Sequence, residues 1–304
     1  MPPVLLIAFN RPDETARVIE RLRSVKPEVI YFAVDGARKE RPEETQLVRQ
    51  TRELVKEFDW DCSLLTQFQH KNLGCGLGVS TAISWALTNE ESVIVLEDDV
   101  LPDPSFFLFC QELLERFSED ERVFAISGSN FVPQNYLTKG ESYRFTPITH
   151  VWGWAVWKRS WEKYEFDISD WRSSLTFTQL KRQLGGSWLA AILWSKLFDL
   201  VSQHKIDTWD YQLAFASIRS KSLIATSNLN LTENLGLDER ATHTAKAPKY
   251  IRPTLNIDFP LSHPVVALDE IANSWTQKHV HGAGVGSGLN LLLKYAKLSL
   301  QMSA

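Results

Sequence analysis

Val4–Phe9 is apolar at every position, and so are Val29–Val34 and Val93–Leu96. A strand with apolar side chains on both faces must be covered on both faces, as a parallel sheet between two layers of helices does. The intervening segments supply the helices. Thr15–Val25 carries Ala16, Ile19 and Leu22 at helical spacing, and Pro42–Phe58 reads as a charged helix with Leu47, Leu54 and Phe58 inward. Ser63–Phe68 is a third strand, and a helix is expected from about Val79 to Leu87. Pro104–Phe117 follows the Ser92–Leu96 strand as a helix, with Asp103 as its N-cap and Pro104 at its first position. Val123–Ser127 is a fifth strand. The pattern predicts an α/β fold with a mostly parallel central sheet. In such sheets ligands bind beyond the carboxyl ends of the strands. Four of those ends are polar: Asn10-Arg11, Asp35, His70-Lys71-Asn72 and Glu97-Asp98-Asp99.

At about 150 residues per domain, 304 residues allow two domains or one large α/β domain. The formal net charge of −4 argues against a nucleic-acid partner held by phosphate contacts. Cys62, Cys75 and Cys110 form no CxxC pair and no zinc spacing, which predicts free thiols in a reducing compartment. Val4–Phe9 lacks a basic lead-in and a cleavage site, so it reads as a first strand rather than a signal peptide. No stretch reaches the roughly 18–20 apolar residues of a membrane span. A cytoplasmic location is expected, with peripheral membrane contact as an option.

The second half is less regular. Val151–Lys158 reads as an aromatic strand, Leu189–Val201 and Tyr211–Ser217 as helices, and Leu223–Thr226 as a short strand. Asn228–His243 reads as a long polar loop, and the chain after Pro248 as extended and proline-punctuated. Leu289–Leu300 has leucines on one face and Lys294, Lys297 and Gln301 opposite, the pattern of an amphipathic helix.

Several constellations carry chemistry. Three adjacent carboxylates, Glu97, Asp98 and Asp99, end a buried strand, and their repulsion calls for a cation or hydrogen-bond donors. The alternative is a solvated turn leading to the Asp103 cap. Gly74, Gly76 and Gly78 lie between a strand and a helix, where a phosphate could meet a helix N-terminus. They lack the P-loop lysine, and Val79 breaks the dinucleotide fingerprint. A glycine turn for close approach to a ligand competes with a plain tight connection. Trp152-Gly153-Trp154 offers a flat aromatic face for a sugar ring, against the plain reading of core packing. Asp210, beside Trp209 and Tyr211, is either a helix N-cap or a general base. His243 alone reads as an ordinary loop histidine.

Together these residues resemble a GT-A-fold glycosyltransferase, with the N-acetylglucosaminyltransferase I type as the nearest likeness. The resemblance rests on Pro3–Pro12 (PVLLIAFNRP), Val93–Phe107 (VIVLEDDVLPDPSFF), Val151–Val156 (VWGWAV) and Trp209-Asp210. It implies a Rossmann-like nucleotide-sugar-binding half over residues 1–130 and an acceptor-binding, catalytic half over 131–245. Residues 246–304 form a C-terminal extension without a counterpart. It implies that Asp99 binds a Mn²⁺ or Mg²⁺ ion, with His243 as a further ligand. Asp98 would reach the ribose and Glu97 the donor sugar. Phe9, Asn10 and Arg11 would meet the nucleotide, Asp35 the base or ribose, and Asn72 and Gly74 the nucleotide side. Trp152, Gly153 and Trp154 would sit by donor sugar and acceptor. Asp210 would be the base of an inverting enzyme, with Asp207 as the other candidate.

The expected activity is metal-dependent, inverting transfer of a hexosyl or N-acetylhexosaminyl group from a nucleotide-sugar, foremost a UDP-sugar, to a glycan or lipid-linked acceptor. The alternatives are a sugar-nucleotide-forming nucleotidyltransferase, which would need a basic, glycine-rich first loop, and a binding module without turnover. Leu289–Leu300 could lie on a membrane surface, although docking on its own core or on another subunit is the favoured reading.

Overall fold

The computed structural model describes residues 1–236 and 250–284. The chain opens with β1 (Val4–Ala8), α1 (Pro12–Val25), β2 (Val29–Val34), α2 (Glu44–Glu53) and β3 (Ser63–Phe68). It continues through α3 (Gly74–Asn89), β4 (Ser92–Glu97), β5 (Val100–Pro102), α4 (Pro104–Arg116), β6 (Val123–Ser127) and β7 (Tyr143–Thr146). Then come β8 (Trp154–Trp157), α5 (Lys158–Trp161), α6 (Trp171–Ser174), α7 (Phe177–Gln183), α8 (Trp188–Ser202) and α9 (Asp210–Arg219). The last described elements are β9 (Leu223–Ser227), β10 (Thr232–Asn234) and α10 (Glu270–His279).

Eight strands form one sheet in the order β3-β2-β1-β4-β8-β6-β9-β7. The first four are mutually parallel, β8 and β7 run against their neighbours, and β6 and β9 are parallel. The chain therefore has the expected mostly parallel α/β sheet, and that sheet crosses the expected boundary at residue 130. The order reverses beside β1, which pairs β2 on one side and β4 on the other, with Ile7 opposite Glu97. A crevice opens where neighbouring strands send their connections to opposite faces. Asn10-Arg11 and Glu97-Asp98-Asp99 stand at this one.

Alternate residues of each central strand feed two cores. Leu6, Phe32 and Leu96 face Ile19 and Leu22 of α1 and Phe109 of α4. Leu5, Tyr31 and Val95 face Val79 and Ile83 of α3. Each Leu, Val or Ile taken fully out of water contributes about 1.5–3 kcal/mol, so the two-sided apolar strands are the main support of the fold. A third core joins α7, α8 and α9 through Leu180, Trp194, Phe198 and Phe215. Ile257 and Leu261, in the expected C-terminal extension, are buried in the first core.

Several expectations are corrected. The third helix begins at Gly74, five residues before Val79, because carboxylates from elsewhere bind its first N–H groups. Leu47 is exposed at 37% and Val48 is buried, since the inward stripe runs through Val48 and Thr51. The aromatic strand is only Trp154–Trp157. The loop after Asn228 contains β10, which pairs with β5. The stretch after Pro248 contains α10, capped by Asp269. Asp103 caps α4 as expected, accepting the Ser105 N–H at 2.9 Å. His243 and Leu289–Leu300 lie outside the described residues. Among the described residues no single helix is long and apolar enough to cross a membrane. The bent pair α7–α8 passes by length and composition only, and one face of α8, including Trp194, Leu197 and Phe198, is buried in the third core.

Candidate active site

An open pocket of about 1250 Å³ runs over the carboxyl ends of β1, β2 and β4 and on to the start of α9. Its lining includes Phe9, Asn10, Arg11, Asp35, Asn72, Gly74, Glu97, Asp98, Asp99, Trp152 and Asp210. The sheet thus brings together residues spread over two hundred positions of sequence.

The acidic triplet forms its floor. Asp98 accepts the Phe9 N–H at 3.0 Å, which ties the end of β4 to the end of β1. Arg11 is ion-paired with Asp99, and its Nη1 lies 3.7 Å from Asp98. Burial works against the Arg11 charge, but Asp98 and Asp99 outweigh it and its pKa is raised. Among the described residues one guanidinium faces three carboxylates. Burial, then the charge of Asp99, pushes Asp98 up to about 7. Burial, then Asp99, Asp98 and Asp210, lifts Glu97 well above the usual carboxylate range. Burial raises Asp99 against the opposing pull of Arg11. This excess of buried negative charge is what a bound cation would relieve, and hard carboxylate oxygens suit Mg²⁺ or Mn²⁺. Among the described residues no three His, Cys, Asp or Glu side chains converge as a ready metal site.

Asp35 and Asn72 clasp the start of α3. Asp35 accepts N–H groups from Gly36 at 2.8 Å and Leu73 at 3.0 Å. The Asn72 amide donates to Asp35 and to the Gly36 carbonyl, both at 2.9 Å. Both residues border the pocket, but their polar atoms are already engaged in holding this loop.

The glycine cluster is explained by a carboxylate of the chain itself. Asp207 accepts the N–H groups of Cys75 at 3.0 Å and Gly76 at 2.9 Å, so it sits where a phosphate was expected. Gly74 has φ +82°, and a Cβ there would lie 2.7 Å from Asp207 Oδ2. The close approach that needs glycine is thus made by Asp207. This also removes Asp207 as a free base, because both of its oxygens serve the helix N-terminus.

Asp210 is the first residue of α9. Its Oδ1 accepts the Thr208 hydroxyl and the Tyr211 N–H, the latter at 3.0 Å. Its Oδ2 has no partner among the described residues. Trp209 is buried and stacks on Trp154, with ring centroids 5.5 Å apart. The expectation that Trp154 borders a ligand is therefore corrected: its side chain is fully buried, and it packs beneath the segment that carries Asp210. Gly153 is corrected likewise. Its φ is +78° and a Cβ would lie 2.5 Å from Thr232 Cγ2, so it serves close packing. Only Trp152 of the three reaches the pocket.

Other lining residues carried no local signal. Arg38 lies over the Phe9 ring at 5.4 Å and is ion-paired with the buried Glu44. His150, Trp194, Tyr250 and His281 come together at the far end of the pocket, from positions up to 131 apart. Neither pairing has a sequence spacing that could have revealed it.

No protein-family profile matches the chain, and no curated protein matches it in sequence. Among solved structures it is similar to S. aureus TarS, with a TM-score of 0.46 and 11% identity over 78% of this chain and 37% of that one. For S. aureus TarS 1-349 the TM-score is 0.45 and the identity 11%, over 78% and 61% of the two chains. For HddC from Yersinia pseudotuberculosis the TM-score is 0.34 and the identity 13%, over 54% and 80%. The chain spans less than two thirds of the length of either TarS chain.

Proposed function

We propose that the protein is a nucleotide-sugar-dependent glycosyltransferase of the GT-A type. One observation carries this reading. A single pocket joins a cation and a carboxylate cluster at the β1/β4 reversal to a carboxylate, Asp210, with an open oxygen. The first part suits a nucleoside diphosphate and the second suits activation of a hydroxyl.

In this reading the nucleotide lies over the ends of β1 and β2, beside Phe9 and Arg38, and its diphosphate reaches Arg11. The acceptor hydroxyl attacks the anomeric carbon as the bond from that carbon to the diphosphate oxygen breaks. The bonding electrons leave with the nucleoside diphosphate. Asp210 takes the proton of the attacking hydroxyl, a role worth about 10²–10⁴-fold in rate. Attack opposite the leaving group inverts the anomeric configuration. A divalent cation held by Asp99 would supply further positive charge toward the diphosphate. Glu97, at the end of β4, would meet a hydroxyl of the donor sugar. UDP is the favoured nucleotide, with a hexose or N-acetylhexosamine as the transferred group.

The nucleotidyltransferase alternative would draw on a basic loop after β1, and Asn10-Arg11-Pro12 offers one cation. The test is product analysis with Mn²⁺ present. Nucleoside diphosphate released from UDP-glucose, UDP-N-acetylglucosamine, GDP-mannose or dTDP-glucose supports the proposal. Pyrophosphate released from a nucleoside triphosphate and a sugar 1-phosphate overturns it.

A further inference from the structure

The far end of the pocket has a chemistry of its own. His150 is 7% exposed, and its buried Nε2 has no hydrogen-bond partner among the described residues. Among the described residues His281 Nε2 and Thr149 Oγ1 are also buried and without a partner. All three residues line the pocket. The two imidazoles lie stacked, with centroids 6.0 Å apart and planes at 19°. Phe131 meets His150 edge-on at 4.7 Å, and Trp194 meets His281 at 5.1 Å. Buried polar atoms are rarely left unpaired in a finished structure. Three such atoms on residues that line one pocket mark a place where hydrogen bonds are completed by something bound.

The occupant can be specified. Burial drives His150 well below its ordinary value, aided by His281 and the buried Arg144, and holds His281 near 4, so both rings are neutral. A neutral imidazole nitrogen accepts or donates one hydrogen bond according to tautomer, which suits a hydroxyl. It does not balance a carboxylate or phosphate, and Arg144, the buried cation that acts on His150, does not line the pocket. The surrounding rings suit the C–H face of a pyranose. Resting on the glycosyltransferase reading, we propose that this compartment is the acceptor subsite. It takes an uncharged sugar ring whose hydroxyls bond to Nε2 of His150, Nε2 of His281 and Oγ1 of Thr149.

The test uses the full chain with ¹⁵N-labelled histidine and four neutral probes: the methyl glycosides of β-glucose, β-galactose, α-mannose and β-N-acetylglucosamine. Glucuronate and glucose 6-phosphate serve as anionic counterparts. The expected result is saturable binding of at least one neutral glycoside that shifts the Nε2 resonances of both histidines. The anionic sugars should bind at least tenfold more weakly. His281→Phe, which keeps an aromatic ring, should weaken that glycoside at least tenfold and leave UDP affinity unchanged. Unshifted histidines with all four glycosides, or tighter binding of an anionic sugar, would overturn the subsite. So would an equal loss of UDP and glycoside affinity in His281→Phe. UDP binding without glycoside binding sinks the subsite alone, whereas glycoside binding without UDP binding keeps the subsite and sinks the transferase.

Discussion

Arg11, just past β1, is ion-paired with Asp99, just past β4. The pair bridges the point where the strand order reverses and, among the described residues, leaves Glu97 and Asp98 short of positive charge. Arg11→Ala is expected to weaken nucleoside diphosphate binding at least tenfold, about 1.4 kcal/mol. Unchanged affinity by titration would take Arg11 out of the site. Asp99→Ala should keep the fold and abolish the part of binding that depends on Mn²⁺.

Asp207 and Asp210 separate structure from chemistry over three residues. Asp207→Ala removes the acceptor of two N–H groups at the start of α3 and should cost about 1 kcal/mol of stability, read as a lower urea midpoint. Asp210→Asn should retain nucleotide binding and lower transfer by roughly 10²–10⁴-fold. If Asp207→Asn loses transfer and Asp210→Asn does not, the base has been assigned to the wrong carboxylate.

Gly140 and Gly153 both have left-handed backbone, φ +84° and +78°, but only Gly153 has neighbours within 4 Å of an added Cβ. Gly140→Ala should therefore cost only the backbone strain, roughly 1–2 kcal/mol. Gly153→Ala should cost clearly more, because Thr232 must also move. Equal unfolding midpoints for the two variants would contradict the packing role of Gly153.

Cys75 is pushed up from 9.0 to about 12 by burial, then by the charges of Glu97, Asp207 and Asp210. The folded chain holds the thiol protonated while the unfolded chain releases its proton near the ordinary value. The contribution to stability is therefore complete below about pH 9 and is lost as pH rises toward 12. Cys75 should resist alkylation by iodoacetamide at pH 8 in the native protein and react after unfolding, as read by peptide mass analysis. Rapid native labelling would contradict the half-buried, electronegative setting.

The parallel core was legible because buried strands leave a continuous apolar run, as in Val29–Val34. The strand ends were legible at Asn10-Arg11 and Glu97-Asp98-Asp99, which line the crevice, whereas His70 and Lys71 do not line it. The start of α3 was not, since its capping carboxylate, Asp207, lies 131 residues beyond Gly76. Trp152 and Trp154 look alike in sequence. Only the structure shows that Trp152 faces the pocket while Trp154 goes into the core behind it. The insertion of antiparallel β8 between β4 and β6 is equally silent, because pairing direction leaves no mark on a four-residue apolar strand. His150 and His281 became a pair only through the docking of α10 against α8, where Trp194 donates to Gln277 at 3.0 Å.

The central claim is that the β1/β4 crevice binds a nucleoside diphosphate. Its most direct test is calorimetric titration of the full chain with UDP, GDP and dTDP, each with Mn²⁺ and with EDTA. The expected result is saturable binding of UDP that is tightened by Mn²⁺ and weakened at least tenfold in Arg11→Ala. Absence of binding by all three nucleotides, with and without Mn²⁺, would contradict the account and return the acidic triplet to a structural turn.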